Sequence, residues 1–256
     1  MAEIRIVLVE PSHPGNIGAA ARAMLNMSLR SLVLVRPRQF PHPEASARAS
    51  GAEGVLGSAR VVDSLREAIA GCGFVAATTS RERDQNFRVL DAREAARRIV
   101  AESGRAPAAV LFGAERTGLT NEDLEPSHAL VRIPSHGEYA SLNLAMAVQI
   151  IAYELFLARL EQAAEGPAGA DRLHPGPPSA TPPSATPLAT PEEMERLYVH
   201  LAEVMDEVGF RDRTQSGTHL MGRIRRFLQL AELDENEANI LRGLLTAVQQ
   251  RRRPAG

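Results

Sequence analysis

Three polar segments stand apart from ordinary core and loop in this chain. The first, "EPSHPGNIGAAARAM" (10–24), follows directly on an apolar run. Gly15 and Gly18 free the backbone to turn tightly into a helix. Asn16 sits at the mouth of that helix, where an N-cap is expected, and Arg22 projects from the next turn. The second, "LFGAERTGLTNEDL" (111–124), is an apolar run ending at Gly113 and a polar loop with Glu115, Arg116 and Gly118. Loops at strand C-termini are where α/β sheets place ligands. The third, "PSHGEYASLNLAMAVQIIAYEL" (134–155), is apolar around almost the whole turn from Leu142 on, which predicts a buried helix. Yet it opens with Glu138, Tyr139, Ser141 and Asn143, more polar groups than one cap needs. Such a helix mouth has the hydrogen-bonding capacity to hold a polar ligand. Each segment also has a structural reading: a tightly packed capped helix, a Glu–Arg pair, and a simple helix cap.

Other chemistries find less support. Gly15-x-x-Gly18 is not the dinucleotide fingerprint Gly-x-Gly-x-x-Gly, and with no lysine in the chain there is no Gly-Lys-Ser/Thr phosphate loop. The seven histidines show no ligand-like spacing and Cys72 is the only cysteine, so no metal is expected, and neither an internal disulfide nor a thiolate cluster can form. A reducing, cytoplasmic setting fits. No apolar run reaches the length of a membrane span, and no basic, cleavable leader precedes the first strand. A formal net charge of -2 provides no bulk attraction for nucleic acid, so any such partner needs a local patch.

The elements that must position these segments follow from periodicity. Continuous apolar runs at 4–10, 31–35, 73–79, 108–113 and 129–133 predict strands covered on both faces. Helical patterns at 17–27, 64–70 and 91–102 alternate with them, the last with Asp91 as N-cap. This alternation predicts an α/β fold with a mostly parallel sheet. A stretch rich in Pro, Ala, Gly, Ser and Thr follows (165–191), with an imperfect "PPSAT" repeat, and reads as a semi-extended linker. Helical periodicity then restarts behind Thr190, Pro191 and Glu193, a capping-box pattern, and continues at about 215–231 and 234–251. The division is thus 1–162, a linker at 163–190, and a small all-helical domain at 191–256.

Taken together, "NIGAAARA", "LFGAERTGL" and "IPSHGEYASLNLAMAVQIIAYE" resemble the three motifs of the SpoU (TrmH) branch of the SPOUT RNA 2'-O-methyltransferases. The opening "IRIVLVEPSHPGNIGAAARAM" and the tail "LMGRIRRFLQLAELDENEANILRGLL" are most similar to the TrmJ type, which acts on cytidine or uridine at nucleotide 32 of the tRNA anticodon loop. The resemblance implies a C-terminal deep trefoil knot, which periodicity cannot show. It implies a homodimer and S-adenosylmethionine as methyl donor to a ribose 2'-hydroxyl. By position, the cofactor would meet Thr78, Thr79, Ser80, Gly113, Ile133, Ala140, Ser141 and Leu142. Arg22, Asn16, Glu115, Ser141 and Asn143 would serve catalysis. A guanidinium stays protonated, so Arg22 reads as an electrostatic and positioning group rather than a base. Contacts to tRNA would come from Arg22, Arg81, Arg83 and Arg116 around the pocket and from Arg223, Arg225 and Arg226 in the tail. Alternatives are a 2'-O-methyltransferase for another tRNA or rRNA site, and an inactive cofactor- and RNA-binding module.

Overall fold

The five continuous apolar runs form strands, and their uninterrupted burial has a topological cause. A computed structural model describes residues 3–80, 87–136, 141–164, 187–210 and 220–252. It begins with β1 (Ile4–Val9), α1 (Pro14–Asn26), β2 (Ser31–Val35), α2 (Pro43–Ala49) and α3 (Glu53–Gly57). Next come β3 (Arg60–Val62), α4 (Leu65–Ile69), β4 (Phe74–Thr78), β5 (Val89–Asp91) and α5 (Ala92–Ser103). β6 (Ala108–Phe112), α6 (Asn121–Leu124), β7 (Ala129–Arg132) and α7 (Leu144–Ala164) complete this part. The sheet is parallel throughout, with strand order β3-β2-β1-β6-β4-β7-β5. β6 inserts between β1 and β4, and β7 between β4 and β5.

Helices cover both faces. In β1, Ile4, Ile6 and Leu8 pack with Ile17 and Met24 of α1, Ile99 of α5 and Val148 of α7. Val7 and Val9 point the other way, toward Ile69 and Leu124. A period of two against two covered faces therefore reads as one apolar run. Nothing in the sequence marks β3 and β5. Each has three residues, and Val61 and Val89 are exposed, so both edge strands lack the run that marked the others. Cys72 is packing between α4 and β4, and burial pushes its thiol up to about 11.

The first segment's glycines do different work from that expected. Neither has a positive φ. Gly18 lies inside α1, where a Cβ would stand 2.0 Å from the Ala45 carbonyl oxygen of α2. At Gly15 a Cβ would stand 2.8 Å from Oε1 of Glu44. Both let α2 lie directly on α1.

The third segment also departs from its expectation. α7 starts at Leu144, and Asn143 Oδ1 accepts from the Ala145 N–H at 2.9 Å, so Asn143 caps it. Val148, Ile151, Ala152 and Leu155 are buried, but Met146, Tyr153 and Leu160 are 62%, 47% and 52% exposed. Spaced by seven residues, these three form one stripe. The helix is apolar all round, yet among the described residues only one side of it is covered.

The tail folds as α8 (Pro191–Val208), α9 (Leu220–Leu230) and α10 (Glu235–Arg252) around Met194, Leu197, Tyr198, Leu228 and Ala238. The Thr190–Glu193 capping box is formed as the sequence predicts. Arg98 of α5 holds Glu232 at 2.8 Å, which moors the tail against the sheet domain.

Candidate active site

In a parallel sheet all strands end on the same edge, and β1, β6, β4 and β7 are consecutive neighbours. The segments that follow them therefore gather at one rim. There a cavity of about 310 Å³ is lined by Thr78, Thr79 and Ser80 after β4, residues 113–119 after β6, Ile133 after β7, and Ser141 and Leu142 before α7. Seven of the eight residues anticipated for a cofactor line this one space; Ala140 lies outside the described residues.

The loop after β6 folds back on itself. Ala114 and Gly118 form an antiparallel bridge, with the Gly118 N–H donating to the Ala114 oxygen at 2.8 Å. Gly118 adopts φ 69°, the left-handed region that suits glycine. Gly113 lies so close beneath this turn that a Cβ would stand 2.1 Å from the Gly118 carbonyl carbon. On the opposite wall the Thr78 hydroxyl donates to the Leu111 oxygen at 2.9 Å, tying β4 to β6. The walls thus combine backbone and small side chains with the apolar Phe112, Leu119, Ile133, Leu142 and Leu144, around a space in the range of small-molecule sites.

The three segments are joined by hydrogen bonds at the cavity's edge. Oε2 of Glu115 accepts from the Ser12 N–H at 2.9 Å and the Ser12 hydroxyl at 2.7 Å. Its Oε1 accepts from the His13 N–H at 3.1 Å and from Asn16 Nδ2 at 2.9 Å. Asn143 Nδ2 in turn donates to Asn16 Oδ1 at 3.0 Å. Asn16 thus reads both partners, one through each end of its amide. It is not the cap of α1: that position belongs to His13, whose Nδ1 accepts from the Gly15 N–H at 3.1 Å. Ser12 and His13 were missed as site residues. Histidine ranks low among caps, and nothing in spacing marks a serine whose partner lies 103 residues away. Arg116 is exposed at the cavity and forms no pair with Glu115, whose four donors all come from the first segment.

Burial alone would raise the Glu115 pKa, but the donors from Asn16 and Ser12 override it and hold the carboxyl at about 2. A folded pKa below the ordinary 4.5 contributes stability that is fully present above pH 4.5 and is lost as pH falls toward 2. Glu115→Gln replaces one acceptor oxygen with an amide NH2 that faces donors. After discounting for solvent screening, it should cost about 1–2 kcal/mol at pH 7. Melting followed from pH 7 to 2 checks this: the variant should start lower and lose less on acidification, and parallel curves would refute it.

Arg22 is placed elsewhere. It is exposed on α1, six residues beyond Asn16, and does not line the cavity. Arg81 and Arg83 lie outside the described residues. The tail cluster is divided. Arg223 and Arg226 are exposed, whereas Arg225 grips Glu195 with two nitrogens at 2.7 and 2.9 Å and stacks over Tyr198. Among the described residues no group of three or more His, Cys, Asp or Glu could hold a metal, and no helix is long and apolar enough to cross a membrane.

Residues 3–153, which carry the first two segments and all but the last two residues of the third, match the model of the SpoU rRNA Methylase family. The chain belongs to that family. Residues 192–256 match a second model, described as tRNA methyltransferase TrmJ, C-terminal domain. The chain is 43% identical over 251 residues, 98% of its length and 93% of the relative's, to a tRNA (cytidine/uridine-2'-O-)-methyltransferase TrmJ of Sodalis glossinidius. It is 45% identical to a tRNA (cytidine/uridine/adenosine-2'-O-)-methyltransferase TrmJ of Pseudomonas aeruginosa, covering 96% of this chain and 94% of that one. The crystal structure of TrmJ from Z. mobilis ZM4 superposes with a TM-score of 0.77 at 34% identity, covering 97% and 100%. A SpoU-family methylase fold with a TrmJ-like helical tail accounts for the whole described chain.

Proposed function

We propose that this chain transfers the methyl group of S-adenosylmethionine to the ribose 2'-hydroxyl of nucleotide 32, a cytidine or uridine, in the anticodon loop of tRNA. The carrying observation is the Glu115–Asn16–Asn143 bridge, which joins three distant segments beside a cavity at the ends of β4, β6 and β7. Likeness over nearly the full length to enzymes named tRNA 2'-O-methyltransferases supports the reaction, and the tail, alike in sequence, supports the type.

When bound, S-adenosylmethionine supplies a methyl group activated by its sulfonium charge. The chain's task is then alignment rather than activation. Thr78, Thr79, Ser80, Gly113, Ile133, Ser141 and Leu142 would hold the cofactor, largely through backbone. Glu115 would keep the cavity's 114–118 turn tied to the first segment. Asn143, held by Asn16, and Asn16, held in turn by Glu115, would orient the ribose. Arg22, outside the cavity and unpaired among the described residues, reaches the reaction through the RNA, where its fixed charge positions a phosphate. Arg116 at the cavity mouth, with Arg223 and Arg226 in the tail, adds phosphate contacts. Arg225, its fork already filled, braces the tail.

The insertion of β6 and β7 between earlier strands supports the knotted threading implied by resemblance. The stripe of Met146, Tyr153 and Leu160 supports a homodimer, since covering half-exposed apolar side chains stabilises by about 1 kcal/mol each. We place the domain limits at 1–162, 163–190 and 191–256, and the work in the cytoplasm. The decisive experiment combines the purified chain, labelled S-adenosylmethionine and unmodified tRNA transcripts, followed by digestion and mass spectrometry. A 2'-O-methyl group at nucleotide 32 is expected. Methyl groups only at another position would overturn the nucleotide assignment, and no transfer to any RNA would overturn the reaction.

A further inference from the structure

The outward face of α9 carries an arrangement that neither its own packing nor the cavity explains. Met221, Ile224 and Leu228 turn inward onto α8 and α10. Arg223, Arg226, Phe227 and Leu230 fall within one third of the helical circumference on the other side. Phe227 is 69% exposed and Leu230 51%. Other apolar side chains of the tail are exposed too, among them Phe210 just beyond α8 and Ile240 on α10, but among the described residues only on this face does an exposed aromatic share a helix surface with two open guanidinium groups. Arg223 and Arg226 make no hydrogen bond or ion pair among the described residues, and α9 contains no acidic residue. The helix cannot roll to hide this face. Arg225 is held by both oxygens of Glu195 and by the ring of Tyr198, 4.5 Å away, and Leu228 is buried.

We infer that this face is an RNA contact in which Phe227 stacks on an unpaired base while Arg223 and Arg226 take the flanking phosphates. The inference rests on the proposed function and names a substrate-holding residue that the three motifs do not contain. Charge decides the occupant. Two open guanidinium forks with no counter-charge on their helix complement a phosphodiester chain, and the exposed ring beside them on the same face provides a stacking surface for a base. An apolar partner would leave both forks buried and unpaired, which disfavours it. A splayed loop nucleotide, whose base is not committed to a helix stack, meets the need for an open π-face.

The test is equilibrium binding of an unmodified tRNA transcript to the full chain over a salt series, with methyl transfer and sedimentation on the same samples. Phe227→Ala should weaken tRNA binding about tenfold without changing the salt slope, because stacking releases no counterions. Phe227→Tyr should restore binding. Arg223→Ala should reduce the slope of log K against log salt by about one. The loss in Phe227→Ala should appear in KM for tRNA. Wild-type binding by Phe227→Ala would overturn the inference, as would a change in its oligomeric state, which would make the face a contact between copies. A wild-type chain that binds tRNA through Phe227 but transfers no methyl group would sink the proposed reaction and leave this contact standing.

Discussion

Arg22→Ala is expected to lower methyl transfer by about a hundredfold to a thousandfold, the loss that follows removal of one electrostatic group from a reacting centre. The melting temperature and the affinity for S-adenosylmethionine should stay at wild-type values. Both halves follow from where Arg22 lies. Its side chain is exposed, makes no hydrogen bond or ion pair among the described residues, and does not line the cavity. Its removal therefore takes away no packing and no cavity contact. What disappears is a fixed positive charge on the helix that also carries Asn16. Arg22→Lys keeps the charge but loses the planar fork, and should recover only part of the rate if the fork grips a phosphate. Single-turnover transfer measured beside cofactor binding separates the possibilities. Full activity in Arg22→Ala would remove it from the reaction, and a lost affinity for cofactor would place it in the cavity after all.

Gly113→Ala should damage binding, activity and stability together. The added Cβ would stand 2.1 Å from the Gly118 carbonyl carbon, 2.2 Å from the Leu119 nitrogen and 2.6 Å from the Gly118 oxygen. These are backbone atoms, so no side chain can swing aside. Relief requires the 114–118 turn to lift, and that turn carries Glu115, to which Asn16 and Ser12 are tied. A displacement of about 1 Å at such a site costs on the order of a hundredfold in rate, and crowding of this kind costs about 1–3 kcal/mol of stability. Gly118→Ala provides the contrast. Its Cβ would meet nothing within 4 Å, and only the positive φ of 69° opposes it, at about 1–2 kcal/mol. Calorimetric cofactor titration of both variants should show a much larger loss for Gly113→Ala. Equal losses would mean that backbone strain, not the close approach beneath the turn, governs the cavity.

Much of this molecule is legible without coordinates, for physical reasons that can be named. The strands at 31–35 and 108–112 are written as continuous apolar runs because both their faces are covered. Asp91 and Thr190 announce their helices because a cap is a local hydrogen bond to the next turn. The three motifs are recognisable because each is contiguous. By itself, then, the sequence determined the α/β class, the helical character of the tail, the family resemblance and most cavity residues; most of the linker expected at 163–190 lies outside the described residues. Only the tertiary structure decided what those residues do to one another. Asn16 is read locally as a cap, yet it bridges Glu115 and Asn143, partners 99 and 127 residues away. Gly18 is read as freedom to turn, yet it is an absence of side chain that α2 requires. Arg223, Arg225 and Arg226 are one basic cluster in sequence, but helical geometry and Glu195 turn Arg225 inward and leave its neighbours facing out. The order β1-β6-β4-β7 brings these segments to one rim, and strand order is a property of how the chain crosses over itself, which no window of residues contains.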